Sequence, residues 1–164
     1  MTDDSPYERV TDPERFTALH RVADELVQQL QEHFDVLVEA VAPEGGHHLR
    51  PQALSAVRVS PRNGGAAVTI TRTAFPGLYV RFGSEHTEAF PSCGCDACDE
   101  QPGAVADDLR EKVRAVTRGR FSEPPGGYEF VYDDGVQSGQ GRTRRSWRRL
   151  PTRRYEPWPP LGRS

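Results

Sequence analysis

The chain has 164 residues, the length of one ordinary domain, which is enough to bury a single hydrophobic core. Only 35% of the residues are hydrophobic, and 14 prolines and 15 glycines indicate that part of the chain lies in loops. No signal peptide or apolar stretch of membrane length is present. We therefore expect a soluble cytoplasmic protein without a membrane partner.

The net charge of −3 conceals an uneven distribution of charge. Residues 142–164 contain eight arginines and one acid, a charge of +7, so residues 1–141 carry −10. Lys112 is the only lysine beside twenty arginines, a bias typical of a GC-rich genome. The composition predicts an acidic body followed by a basic tail.

The first predicted element is a long amphipathic helix that begins after Thr11 and ends near His33. Thr11 and Glu14 have the spacing of a capping box, and Pro13 lies in the first turn, where no amide donor is needed. One face is apolar, with residues recurring at intervals of three, four and seven: Phe16, Leu19, Ala23, Leu26, Leu30 and Leu37. We expect this face to pack on a sheet.

Segments rich in Val, Ile, Leu and Tyr predict strands at 34–42, 54–60, 66–72, 78–82 and 128–132. Turn residues separate the middle three, as in an antiparallel meander. Residues 102–118 have the period of a second helix, with Gly119 as a C-cap. The predicted fold is α+β: a long N-terminal helix on a small antiparallel sheet, a cysteine-rich loop, a second helix and an extended basic tail.

The same pattern divides the chain into three parts. We expect a flexible N-terminus at 1–10, a single α+β domain at 11–132, and a Gly/Arg/Pro-rich, partly disordered tail at 133–164.

The most informative motif is a cluster of the only three cysteines, Cys93, Cys95 and Cys98. Zinc prefers four tetrahedral ligands, and a C-x-C-x-x-C loop can supply three thiolates because Gly94 lets the backbone fold closely. Acidic neighbours, including Glu88 and Glu100, disfavour a reactive thiolate but suit a divalent cation. The cluster predicts a structural zinc site, with inert thiols and redox or nucleophilic chemistry as the alternatives.

The fourth ligand must come from outside the cluster. His86 is the nearest imidazole in sequence, and the six residues that follow it are long enough to bring it back to the thiols. We therefore predict the ligand set Cys93, Cys95, Cys98 and His86. Other side chains of suitable chemistry are His20, His33, His47, His48, Asp96 and Asp99.

A site filled by four protein ligands leaves no position for water and is structural. If His86 instead points away, three thiolates and a water would resemble a hydrolytic or deaminase-type centre, with Glu85, Glu88 or Glu100 as proton shuttle. The H-x-E and P-C-x-x-C deaminase signature is absent, as are nucleophile-elbow and phosphate-loop motifs.

The stretches 81–83 and 90–100, the segment 7–16 and the Gly119-Arg120-Phe121 turn resemble the signature of an uncharacterised actinobacterial family, domain of unknown function 6226. The resemblance spans residues 7–132. It implies no activity and no functional residue.

The tail interleaves Trp147, Tyr155 and Trp158 with arginines, residue types that stack on bases and contact phosphates. An acidic body repels a polyanion, so a solvated or folded-back tail is the preferred interpretation. We predict a cytoplasmic accessory or interaction domain, more consistent with a protein partner than with an enzyme. The alternatives are a metal-dependent or thiol enzyme using the cysteines, and a nucleic-acid or acidic-partner adaptor using the tail.

Overall fold

The structure, a computed structural model, describes residues 9–43, 52–140 and 150–162. These residues form two α-helices, a 3-10 turn and nine strands in two antiparallel sheets. The predicted α+β class is confirmed, although the sequence analysis expected only one sheet. None of the helices in the described ranges is both long and apolar enough to cross a membrane.

The two helices lie close to their predicted positions. The 3-10 turn Pro13–Thr17 leads into α1 (Ala18–His33), and α2 is Pro102–Thr117. The inward face of α1 is apolar, as its sequence period predicts, and its buried residues are Leu19, Val22, Ala23, Leu26 and Leu30. Leu37, assigned to the same stripe, lies in the first strand and is exposed.

The capping box predicted at the start of the first helix is wrong. Asp12 precedes the 3-10 turn and makes no side-chain capping bond. The Thr11 hydroxyl donates to Asp96 Oδ1 at 3.1 Å, and Glu14 Oε2 accepts from the Thr17 hydroxyl at 3.1 Å. The distant contact with the cysteine loop therefore replaces the local cap.

The first sheet is a meander whose strands pair in chain order. It contains β1 (Val36–Val41), β2 (Ala53–Pro61), β3 (Val68–Thr73), β4 (Leu78–Phe82) and β5 (His86–Phe90). The first four strands follow the predicted segments, whereas the sequence analysis did not predict β5. In the register, Phe82 lies opposite His86 and Val80 opposite Glu88. These two polar residues of β5 therefore share a sheet face with buried apolar neighbours.

The second sheet is built from chain that follows α2. Its order is β8-β7-β6-β9, with β6 (Phe121–Glu123), β7 (Gly127–Val131), β8 (Val136–Gln140) and β9 (Arg153–Arg154). β8 and β9 lie in the region 133–164, which the sequence analysis assigned to a tail. In the described part of that region, two segments therefore belong to the sheet.

The two sheets share one hydrophobic core. Three phenylalanine rings join them, with centroids 5.2 Å apart for Phe82 and Phe130 and 4.8 Å apart for Phe121 and Phe130. Leu109 and Val116 of α2 are fully buried in the same cluster. Tilted and edge-on aromatic pairs add stabilisation beyond the area that they bury.

Trp158 fastens the end of the described chain to the first half of the domain. Its side chain is 3% exposed, its indole N–H donates to the Ala66 carbonyl at 3.0 Å, and its ring meets Phe34 edge-on. Its own amide donates to the Thr117 carbonyl at 2.9 Å. Trp158 is therefore a core residue and not a stacking surface of a tail.

The Glu123 carboxylate connects the second sheet to the β4–β5 turn. This side chain is buried, and its oxygens accept backbone N–H bonds from Ser84, Glu85 and His86 at 2.7–3.2 Å. The Tyr155 hydroxyl donates to the same carboxylate. A buried carboxylate is tolerated where several donors replace its water.

Replacing Glu123 with Gln should lower the free energy of unfolding by about 2–3 kcal/mol, because an amide accepts through one oxygen only and turns an N–H₂ group towards backbone donors. Urea unfolding measures this loss. Glu111→Gln, on the exposed face of α2, is the matched control and should change stability by less than about 0.5 kcal/mol. Equal losses of stability in the two variants would contradict the role of Glu123 in connecting the second sheet to the β4–β5 turn.

Candidate metal centre

The cysteine loop connects β5 to α2 and brings three thiols together. The Sγ atoms of Cys93, Cys95 and Cys98 all lie within 4.8 Å of one another, and those of Cys93 and Cys95 are 2.9 Å apart. Gly94 makes the tight turn with a φ of +77°, and a Cβ there would lie 2.9 Å from the Phe75 ring. The spacing of the motif thus produces the predicted three-thiol group.

The three thiols differ in burial and in acidity. Cys95 is buried, whereas Cys93 and Cys98 are exposed. A hydrogen bond from the Cys93 thiol lowers the pKa of Cys95, and hydrogen bonds to Cys95 and Cys93 raise the pKa of Cys98 to about 12. Three neighbouring thiols do not all ionise without compensation, and a divalent cation supplies it.

Glu100, which follows the cysteine motif in sequence, holds the loop through its side-chain carboxylate. Its oxygens accept backbone N–H bonds from Ser92, Cys93 and Gly94 at 2.9–3.1 Å and a bond from the Ser92 hydroxyl at 2.9 Å. Burial raises the pKa of Glu100, but the bonds from Cys93, Gly94 and Ser92 outweigh it and leave the pKa below its usual value. The carboxylate is committed to the conformation of the loop.

Asp96, inside the motif, ties the loop to the beginning of the described chain. Its Oδ1 accepts from the Thr11 amide at 3.0 Å and from the Thr11 hydroxyl, and its own amide donates to the Arg9 carbonyl at 2.9 Å. Anything that orders the cysteine loop therefore also orders the entry into the first helical turn.

The structure does not bring His86 to the thiols. His86 begins β5, its Nε2 lies 2.6 Å from Glu88 Oε1, and its ring stacks on Tyr128 with centroids 3.6 Å apart. Among the described residues, no histidine nitrogen or carboxylate oxygen joins the group defined by the three sulfurs. The predicted fourth ligand thus has other partners in this conformation.

The remaining candidates for the fourth ligand are also accounted for in the described chain. His20 Nε2 lies 3.0 Å from the Gly77 carbonyl, and His33 Nδ1 lies 2.7 Å from the Gln29 carbonyl. Asp99 Oδ1 accepts from the Gln101 amide at 2.9 Å. His47 and His48 lie outside the described residues.

His86 instead belongs to a series of charged contacts that runs from the interior, where Lys112 is buried, to the half-exposed Asp108. Glu88 Oε2 lies 3.0 Å from Lys112 Nζ, which in turn lies 2.7 Å from Asp108 Oδ2. Burial works against both charges, yet hydrogen bonds from His86 and Lys112 lower the pKa of Glu88, and those to Asp108 and Glu88 raise the pKa of Lys112. Sequence reasoning missed this series; its one local signal was the single lysine, at an inward position of α2.

Comparison with known proteins identifies the family to which the chain belongs. The family model described as a family of unknown function, DUF6226, matches residues 1–160. The chain belongs to this family. No curated protein and no solved structure matches it. Membership thus confirms the resemblance seen in the sequence, and the function of this DUF6226 chain has to be argued from its own residues.

Lys112→Met should destabilise the protein by about 3 kcal/mol at neutral pH, because it leaves the Glu88 and Asp108 carboxylates without their buried cation. Arg110→Met, on the more exposed side of α2, should cost less than about 1 kcal/mol. Urea unfolding measures both variants.

The penalty for Lys112→Met should also depend on pH. Against the effect of burial, hydrogen bonds from His86 and then from Lys112 hold the folded-state pKa of Glu88 below 4.5. The stabilisation that Lys112 supplies is therefore present above that value and is lost as the pH falls through the folded pKa. The difference between wild type and variant should therefore shrink below about pH 4. A difference that is constant from pH 7 to pH 3 would show that lost packing, not charge, causes it.

Proposed function

We propose that this protein is a non-enzymatic cytoplasmic accessory or interaction domain whose cysteine loop is held by zinc. The observation that carries the proposal is the approach of three sulfurs to within 4.8 Å in a loop that follows a strand and precedes a helix. Thiolates at this spacing favour a tetrahedral zinc site, and clustered free thiols are typical of a reducing compartment.

A structural role agrees with what the loop connects. Asp96 binds the chain at residues 9–11, and the loop leads directly into α2 at Pro102. A metal bound by the three thiolates would fix both connections, and its binding energy would count as folding energy. We place the fourth ligand elsewhere than His86, because the His86 ring is held by Glu88 and Tyr128.

The alternative of a metal-dependent or thiol enzyme needs a nearby proton shuttle. Of the three carboxylates considered, Glu88 is bound by His86 and Lys112, and Glu100 is bound by the amides of the cysteine loop. The third, Glu85, is exposed and does not join the group of three sulfurs. A carboxylate held by several donors is a weak base. These contacts favour the structural role over the catalytic one.

The alternative of nucleic-acid or acidic-partner binding depends on the aromatic residues and arginines near the C-terminus. Trp158 is buried and Tyr155 donates to Glu123, so both are used within the fold. Arg153 and Arg154 form β9, and Trp147 lies outside the described residues. We therefore propose a protein partner in preference to a polyanion.

Zinc content tests the proposal directly. Protein purified without oxygen should contain about one zinc per chain, and Cys95→Ser should lose this zinc. The variant should also lose about 3 kcal/mol of stability, which is the stabilisation that zinc gives when its free concentration is about 100 times its dissociation constant. Metal analysis and thermal melting with and without a chelator measure both quantities.

His86→Ala is the matched variant for the ligand set. It should retain zinc, because His86 lies outside the sulfur group. Zinc-free wild-type protein purified anaerobically would refute the site, and loss of zinc from His86→Ala would restore His86 as the fourth ligand.

Cobalt substitution separates the structural from the catalytic role. A thiolate-bound tetrahedral cobalt ion should show an absorption spectrum that azide leaves unchanged if all four positions are filled. A spectral shift on adding azide would indicate an exchangeable ligand and favour the enzyme alternative.

A further inference from the structure

A second candidate site lies away from the cysteines, where the second sheet meets the β4–β5 turn. A cavity of about 760 Å³ is bounded by that turn, the β6–β7 turn, the end of β8 and the residues before β9. None of the three cysteines lines it. Its volume falls within the range of pockets that hold small molecules.

The apolar walls of the cavity include Pro124, Pro125, Pro151 and Tyr128. The Tyr128 ring is positioned from two directions: it stacks on His86, and it lies so close over Gly139 that a Cβ there would be 2.6 Å from the ring. Prolines and a packed aromatic ring lose little freedom when a ligand binds. The walls therefore suit a flat or compact apolar body.

Among the described residues that line the cavity, the charged ones are Glu85, Glu123 and Arg153, and their charges sum to −1. Arg153 Nη1 lies 3.9 Å from Glu123 Oε2, and the Glu123 carboxylate also accepts three backbone N–H bonds from the β4–β5 turn. The opposite charges of Arg153 and Glu123 therefore cancel each other. Within the described lining, the exposed Glu85 then offers its charge to a ligand.

His86 also lines the cavity. Its Nε2–H donates to Glu88 Oε1 at 2.6 Å, and in a neutral imidazole the other nitrogen, Nδ1, then has a lone pair. Glu88 is itself held by Lys112, so the partner that orients the His86 ring has a fixed position. The described polar groups that line the cavity thus include the His86 imidazole and the Glu85 carboxylate, beside the apolar walls.

From this arrangement we propose that the cavity binds a small organic cation, an amidinium or ammonium group carried on an aromatic or compact aliphatic body. The cationic head would donate to the Glu85 carboxylate, and the body would lie against the prolines and Tyr128. A planar amidinium forms two parallel bonds to a carboxylate, as a guanidinium does. Because Glu85 is exposed, the head keeps part of its water while it pairs with the carboxylate, and an anion gains no such pairing with Glu85.

Benzamidine is the probe, with benzoate and benzyl alcohol as anionic and neutral counterparts of similar shape. Titration of the full chain, followed by calorimetry and by the NMR signals of Tyr128 and His86, should give a benzamidine dissociation constant below about 1 mM. Benzoate and benzyl alcohol should bind at least about tenfold more weakly, which corresponds to about 1.4 kcal/mol.

Two variants place the binding in this cavity. Glu85→Gln should weaken benzamidine binding about tenfold, whereas Glu111→Gln, on α2, should leave it unchanged. Thr152→Trp should abolish binding by filling the cavity from an exposed position. Melting curves verify that each variant is folded.

The comparison of the three probes requires no variant, so it decides the proposal even if a substitution unfolds the protein. Benzoate binding as tight as benzamidine binding would overturn the proposed ligand class. Failure of benzamidine to bind at 10 mM, or equal binding to folded Glu85→Gln, would overturn the site.

Discussion

The buried carboxylate of Glu123 is the interaction on which the arrangement of the rest depends. It lies at the end of β6 and accepts the three successive amides of the β4–β5 turn, so it fixes the second sheet against the beginning of β5. Ionised acceptors form stronger hydrogen bonds than neutral ones, and the buried Glu123 carboxylate would be costly without these donors. The start of β5 sets the direction of His86 and Glu88, and the end of β5 leads into the cysteine loop.

The domain uses the same device at both ends of β5. Glu123 accepts hydrogen bonds from the backbone amides of residues 84–86, and Glu100 accepts them from the amides of residues 92–94. In each case a carboxylate from a later part of the chain replaces the water that a turn of irregular backbone would otherwise bind. Glu100, which sequence reasoning considered as a proton shuttle, is thereby used to shape the loop that carries the thiols.

Features that depend on local pattern were predictable, and those that depend on distant partners were not. The periods of α1 and α2, the segments of β2 to β4 and the grouping of Cys93, Cys95 and Cys98 follow from neighbouring residues.

β5 was missed because its inward residues are His86 and Glu88, whose burial makes sense only beside Lys112 of α2. β9 has only two residues, and β8, with the sequence Val-Gln-Ser-Gly-Gln, has little strand propensity; both form because β6 and β7 present partners. His86 was assigned to the metal by proximity in sequence, but Glu88 and Tyr128 hold its ring.

The two candidate sites are joined by a continuous series of contacts. The cysteine loop enters α2; α2 carries Asp108 and Lys112; Lys112 binds Glu88, which binds His86 at the cavity wall. Lys112 is 3% exposed, so it cannot exchange its carboxylates for water without opening the core. A metal that orders the cysteine loop would stabilise the entry into α2 and, through the ion pairs of the buried Lys112, the orientation of His86. A metal held by the three thiols would therefore be structural and would still influence the shape of a cavity that it does not touch.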